Sequence, residues 1–176
     1  TGTLDPLATG VLPVLLGNST KISKYLIEHD KTYIAKLKLG EKRTTGDSEG
    51  EVLESMPVEQ YNVDFVKTIL LSFIGKQEQI PPIYSAIKVQ GKKLYEYARA
   101  GQDVEIKKRN IEIYSIELID IENDEITFEV SCSKGTYIRT LCEDIATKLK
   151  NVGYMKELTR TKVNDFTLND AVSIDD

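Results

Sequence analysis

The sequence predicts an α+β fold with a mixed, mainly antiparallel sheet flanked by helices, and three observations predict it. Ile111 to Ile121 and Ile126 to Ser133 alternate apolar and polar residues on either side of Glu122-Asn123-Asp124, the pattern of two strands joined by a tight turn. Lys31 to Leu39 alternates in the same way, with Tyr33, Ala35, Leu37 and Leu39 on one face. Val63 to Ile74 and Thr136 to Leu149 instead place apolar residues at helical intervals. Strands that follow one another through turns rather than through crossover helices favour antiparallel pairing.

Taken in chain order, Ser19 to Asp30 starts on Ser/Thr and spaces Ile22, Tyr25 and Leu26 for a helix, which leads into the Lys31–Leu39 strand. The stretch from Gly40 to Val52 is a glycine-containing, hairpin-like excursion. The Val63–Ile74 helix presents Phe65, Val66, Ile69, Leu70 and Phe73. Pro81-Pro82 then breaks regular structure, because two successive residues lack an N–H and have a fixed φ. A short strand around Tyr84 to Val89 and a helix from Lys92 to Ala100, stopped by Gly101, precede the paired strands. The last helix carries Ile138, Leu141, Cys142, Ile145 and Leu149 inward. No repeat or composition break divides the 176 residues, so residues 1–176 read as one domain.

No apolar run approaches the ~20 residues that cross a bilayer. Cys132 and Cys142 form neither a CxxC pair nor a disulfide framework, which points to a reducing, cytoplasmic setting. The net charge of −5, from 23 basic and 28 acidic residues, argues at first against a nucleic-acid partner. Its distribution argues the other way. Residues 76–110 carry +4 and residues 131–163 carry +4, while 111–130 carry −7 and the tail 164–176 carries −4. A cleft responds to its local field rather than to the total, although solvated helix and strand faces give the same pattern.

GxxxxGK[ST], GxGxxG and HExxH are absent, and His29 has no second histidine to form a metal cluster. Chemistry on this chain falls to carboxylates, tyrosines, lysines and arginines, with no metal or cofactor expected. Four clusters offer it. Gly2-Thr3-Leu4-Asp5-Pro6 followed by Leu7-Ala8-Thr9-Gly10 reads either as a helix N-cap or as a tight loop carrying a positioned carboxylate. In Ser133-Lys134-Gly135-Thr136-Tyr137-Ile138-Arg139, an arginine in a helix's first turn opposes the macrodipole and calls for an anionic partner, unless it is a plain surface arginine. Tyr33 is by itself a sheet-face tyrosine. Ile80 to Arg99 interleaves tyrosines with Lys88, Lys92, Lys93 and Arg99, a pattern suited to gripping a nucleic-acid backbone and stacking on bases.

Together GTLDPLATGVLPV, IPPIYSAIKVQGKKLYEYARAG and CSKGTYIRTL closely resemble the bacterial tRNA pseudouridine synthase B (TruB-type) family, in order along nearly the whole chain. The resemblance implies a pseudouridine synthase fold and conversion of uridine 55 in the tRNA T-loop to pseudouridine. It makes Asp5 the catalytic nucleophile and Tyr33 the tyrosine that stacks on the flipped base. Tyr137 becomes a wall of the uridine pocket, Arg139 the partner of the aspartate, and Leu158 the apolar pocket residue. Asp47 becomes a polar residue toward the target nucleotide. Lys88, Lys92, Lys93, Arg99, Lys134 and Arg160 are candidate contacts to the RNA backbone.

The chain departs from the family pattern in three places. The family's His before G-x-L-D-P and its K-P-x-G-x-T-S motif would precede Thr1, and its C-terminal PUA-type domain is absent or beyond Asp176. Thr159-Arg160-Thr161 replaces Arg-Arg-Thr. The expected molecule is therefore a monomeric, incomplete catalytic domain acting on a tRNA T-arm. Three first steps are open to Asp5: attack at C1′, addition at C6, or abstraction of a ribose proton. Two other classes stand beside it: a catalytically silent tRNA-binding or chaperone module on the same fold, and a two-carboxylate glycosidase that lacks an obvious second carboxylate.

Overall fold

Alternation dictates the centre of the molecule. In the computed structural model, which describes residues 2–23 and 29–173, strand β2 (Lys31–Leu39) buries Tyr33, Ala35, Leu37 and Leu39 on one face. It lies between β9 (Glu125–Cys132) and β10 (Gly153–Val163), both antiparallel to it. The hairpin partner β8 (Arg109–Glu122) flanks β9, and β5 (Gly75–Gln79) closes that edge. On the other side the two-residue strand β1 (Thr9–Gly10) runs parallel to β10, and β11 (Phe166–Thr167) pairs back onto β10. Among the described residues these seven strands form one sheet, in which one strand pair is parallel and the rest antiparallel. Hairpins β3 (Glu41–Arg43)–β4 (Val52–Ser55) and β6 (Lys88–Val89)–β7 (Lys92–Lys93) stand apart from it.

Helices α1 (Val63–Leu71) and α3 (Ile138–Lys148) cover the apolar face, bringing Val66 and Leu70, and Leu141, Cys142 and Ile145, onto Phe128, Ile113 and Leu37. Each fully buried aliphatic or aromatic side chain there contributes about 1.5–3 kcal/mol. Asn62 caps α1 by accepting from the N–H groups of Asp64 and Phe65. The short helix α2 (Leu94–Arg99) follows β7, with Leu94 its buried anchor.

The opposite face carries a charge lattice. Lys38 Nζ sits 2.6 Å from Asp124, Lys36 reaches Glu157 at 3.3 Å, and Lys156 bonds Glu125. Part of the −7 block is thereby neutralised by its neighbours on β2 and β10.

Several expectations shift. Phe65 is exposed rather than inward, and α1 ends at Leu71, before the expected Ile74. The Tyr84–Val89 strand shrinks to Lys88–Val89, and Lys92–Lys93 belong to its hairpin rather than to the helix, which begins at Leu94. Strands β5 and β10 are additions to the sequence-derived set. For the Ser19–Asp30 helix, Gly17–Ile22 form a 3-10 turn and residues 24–28 lie outside the described residues.

Candidate active site

The segment carrying Asp5 is a loop, not a capped helix. The Ala8 N–H closes a turn on the Asp5 carbonyl at 2.9 Å with Pro6 inside it, and the chain then enters β1. Gly10 is required there. It has φ 108°, and a Cβ would come within 2.2 Å of the Arg160 carbonyl oxygen, so only glycine lets β1 pair this closely with β10.

Arg139 meets this loop from the first turn of α3. Its Nε lies 2.9 Å from Asp5 Oδ2, and its Nη2 donates to Oδ1 at 3.1 Å. The same guanidinium donates to the carbonyls of Thr45 (3.1 Å) and Tyr84 (2.9 Å). Arg139 is 5% exposed, so its orientation is fixed by three chain segments. The arginine that the macrodipole disfavours thus has the anionic partner its position calls for.

Burial pushes the Asp5 carboxyl above its ordinary value. Arg139 pulls it down and Asp47 pushes it up further, so desolvation outweighs the ion pair.

Around the pair is a cavity of about 530 Å³, lined by the Gly2–Pro6 loop, Lys31, Tyr33, the Tyr84–Ala86 segment, Tyr95, Tyr137, Arg139 and Arg160, among others. That is a usual size for a small-molecule or nucleotide subsite. Tyr33 stands on β2 opposite Arg160, 8% exposed, and burial lifts its hydroxyl to about 12 despite the nearby guanidinium. Burial and Arg160 together lower Lys31 below the usual lysine value.

Asp5, Tyr33, Tyr137 and Arg139 thus converge, and three other site expectations are redrawn. Asp47 is 3% exposed, its carboxylate accepts from the Thr45 hydroxyl and the Glu49 N–H within its own loop, and it does not belong to the cavity lining. It orders the loop whose Thr45 carbonyl holds Arg139. Leu158 pairs with Ala35, one step inward from Tyr33, and packs into the core behind the cavity wall. Arg160 is 1% exposed and lies in the cavity lining rather than on the rim with the lysines. Lys88, Lys92, Arg99 and Lys134 are exposed and Lys93 is half-buried. Lys93 and Arg99 lie over the ring of Tyr95 at 5.4 and 5.2 Å, which places cations at the mouth of the cavity.

Sequence reasoning missed Gln79. Its side-chain amide accepts from the Tyr137 N–H at 2.8 Å and donates to the Tyr137 carbonyl at 3.0 Å, clamping the residue that starts α3. Its only sequence signal is its place just before Ile80-Pro81-Pro82.

The same fold occurs in solved pseudouridine synthase assemblies. A chain of a Cbf5–Nop10–Gar1 complex superposes with a TM-score of 0.69 and 28% identity, over 94% of this chain and 40% of the other. A chain of an H/ACA RNP bound to a substrate RNA containing 2′-deoxyuridine superposes with 0.66 and 26% identity, over 94% and 38%. Fold and site together define the pseudouridine synthase class.

Within that class, the model for the N-terminal domain of TruB family pseudouridylate synthases matches residues 1–138, and that for the tRNA pseudouridylate synthase B C-terminal domain matches 139–176. The chain belongs to the TruB family. It is 50% identical over 176 residues to tRNA pseudouridine synthase B of Nitrosococcus oceani, covering all of this chain and 57% of that protein. For the Alkaliphilus oremlandii protein of the same name the figures are 49%, all and 58%. The chain therefore spans a little over half the length of these relatives. The boundary between the two family models falls at the start of α3, yet β10 from the second part is inserted between β1 and β2 of the first, so one sheet spans both.

Proposed function

We propose that this chain carries the catalytic site of a tRNA pseudouridine synthase that isomerises uridine 55 of the T-loop, with Asp5 as nucleophile. The observation that carries the reading is the half-buried Asp5 carboxylate held by a fixed Arg139 at a cavity walled by Tyr33 and Tyr137. The names of the relatives support tRNA as the substrate.

Pseudouridylation breaks the N1–C1′ bond, turns the uracil and joins C5 to C1′, while C5 loses its proton and N1 gains one, so atoms and electrons balance within one nucleotide. A single carboxylate suffices to start it. Attack at C1′ expels the base, addition at C6 tethers it, and abstraction of a ribose proton opens an elimination route. Each route uses the ionised carboxylate as nucleophile or base, and each benefits from its partial desolvation, because a less solvated carboxylate is more basic and more nucleophilic. Arg139 fixes the direction in which the lone pairs point.

A base inside the folded T-loop is out of reach of Asp5 until it is flipped, at a cost of a few kcal/mol, roughly. The Tyr33 ring offers it a stacking wall, and the cations around Tyr95, with Lys88, Lys92 and Lys134, draw in the backbone. The silent binding-module alternative has no use for a buried carboxylate–arginine pair, so the geometry favours the enzyme.

The test is pseudouridine formation on a T-arm hairpin by wild type and Asp5→Asn. Product from wild type and none from the variant, at equal tRNA affinity, is expected. Equal product from both sinks the role of Asp5, whereas salt-dependent binding without product from either supports the silent module.

A further inference from the structure

We propose that Arg160 is the positioning residue of the nucleophile loop: it holds both ends of the Gly2–Val11 segment and thereby sets where Asp5 stands. The proposal rests on the reading of Asp5 as nucleophile, but its geometry is independent of it. Arg160 Nε donates to the Val11 carbonyl at 2.8 Å and Nη2 donates to the Gly2 carbonyl at 2.8 Å. Its own backbone carbonyl accepts from the Val11 N–H at 2.8 Å. At 1% exposure it is the largest fully buried side chain among the described residues.

A cation that deep costs much free energy unless hydrogen bonds replace its water, and here backbone carbonyls do so. Between the two anchored carbonyls lies the turn that closes on Asp5, and the loop's other tie to β10 is the short β1 pairing, helped by the Thr9–Thr159 hydroxyl contact at 3.0 Å. The loop is thus an arch whose two feet share one side chain. The planar guanidinium fork matches two carbonyls set apart, whereas an ammonium reaches one. Arg139 orients the carboxylate, and Arg160 locates the chain that bears it.

The experiment compares Arg160→Met, which fills the space without donors, and Arg160→Lys, which keeps charge and one donor. Two readouts are taken: amide hydrogen exchange of the free protein, and kcat and KM on tRNA. Exchange is expected to accelerate at Ala8 and Val11 in Arg160→Met while the β2 and β9 amides stay protected. The kcat is expected to fall by roughly 100-fold, since a misplacement of about 1 Å costs that much, with KM unchanged. Arg160→Lys falls between, and added guanidinium ion restores part of the lost rate in Arg160→Ala.

Two results overturn the proposal. One is unchanged exchange in the loop. The other is a loss of tRNA affinity with a salt slope reduced by about one at constant kcat, which makes Arg160 an RNA contact. If Arg160→Met does not fold, the Arg160→Lys exchange pattern decides alone. An inactive wild type with a loosened loop in the variant refutes the Asp5 reading and leaves the positioning role standing.

Discussion

The floor of the cavity and its rim are built on opposite principles. On the floor, Arg139, Arg160 and Tyr33 are all less than a tenth exposed, and both guanidiniums are engaged by backbone carbonyls from separate segments. On the rim, the β6–β7–α2 excursion carries Lys88, Lys92 and Arg99 into solvent and is pinned by little more than Leu94 and the tether from the Tyr95 N–H to the Ser85 carbonyl. Chemistry needs atoms held to within a fraction of an ångström, so its cations are buried and multiply bonded. Gripping a phosphate backbone needs charge and reach, and exposed lysines supply both at little conformational cost. The same residue types serve both ends, and burial separates their tasks.

The contrast is tested most severely by Arg139→Gln. Loss of the buried partner should lower turnover by about 100- to 1,000-fold and stability by about 3 kcal/mol, read by product formation and thermal melting. The pH profile carries a sign as well. Arg139 lowers the Asp5 carboxyl, and the proposed mechanism uses the ionised form, so activity is expected to fall as pH drops through that value. Without Arg139 the acid limb must move to higher pH.

Next in size is the rim. Lys92→Ala with Lys93→Ala should weaken tRNA binding about 10-fold and reduce the salt slope by roughly two, with kcat at saturating tRNA unchanged. A change in kcat instead would mean that rim and floor are not separable.

Smaller still is Asp47→Asn, which keeps an Oδ1 acceptor for Thr45 and Glu49 but removes a charge that raises Asp5. The acid limb should shift to lower pH, read from the pH profile of product formation. The smallest effect belongs to Tyr33→Phe. With its hydroxyl lifted to about 12, Tyr33 stays neutral through the working range, so no alkaline limb should come from it and turnover should change by less than about threefold.

Periodicity made β2, β9, α1 and α3 legible, because each buries a recognisable face, and β8, itself bulged twice, was legible through the turn that joins it to β9. It failed for β10, where bulges between Met155 and Glu157 and between Arg160 and Lys162 break the two-residue phase. It failed too for β5, a Gly-Lys-Gln-Glu-Gln edge strand with no apolar side chain to alternate. In the site, an arginine at a helix start raised the question of an anionic partner, and the family resemblance named Asp5 as that partner. Gln79 was hidden, since an amide that bonds backbone leaves no pattern in sequence. The depth of Arg160 was hidden for a related reason: a formal charge says nothing of burial.

The place of β10 between β1 and β2 has a consequence for biogenesis. The loop bearing Asp5 is made early, but both the strand it leans on and the arginine that anchors it lie some 150 positions later. Pairings between such distant parts of a chain are late events in folding. A nascent chain that stops before Val163 therefore holds the proposed nucleophile without a frame, and the cavity comes into being only when the sheet is closed from the far end.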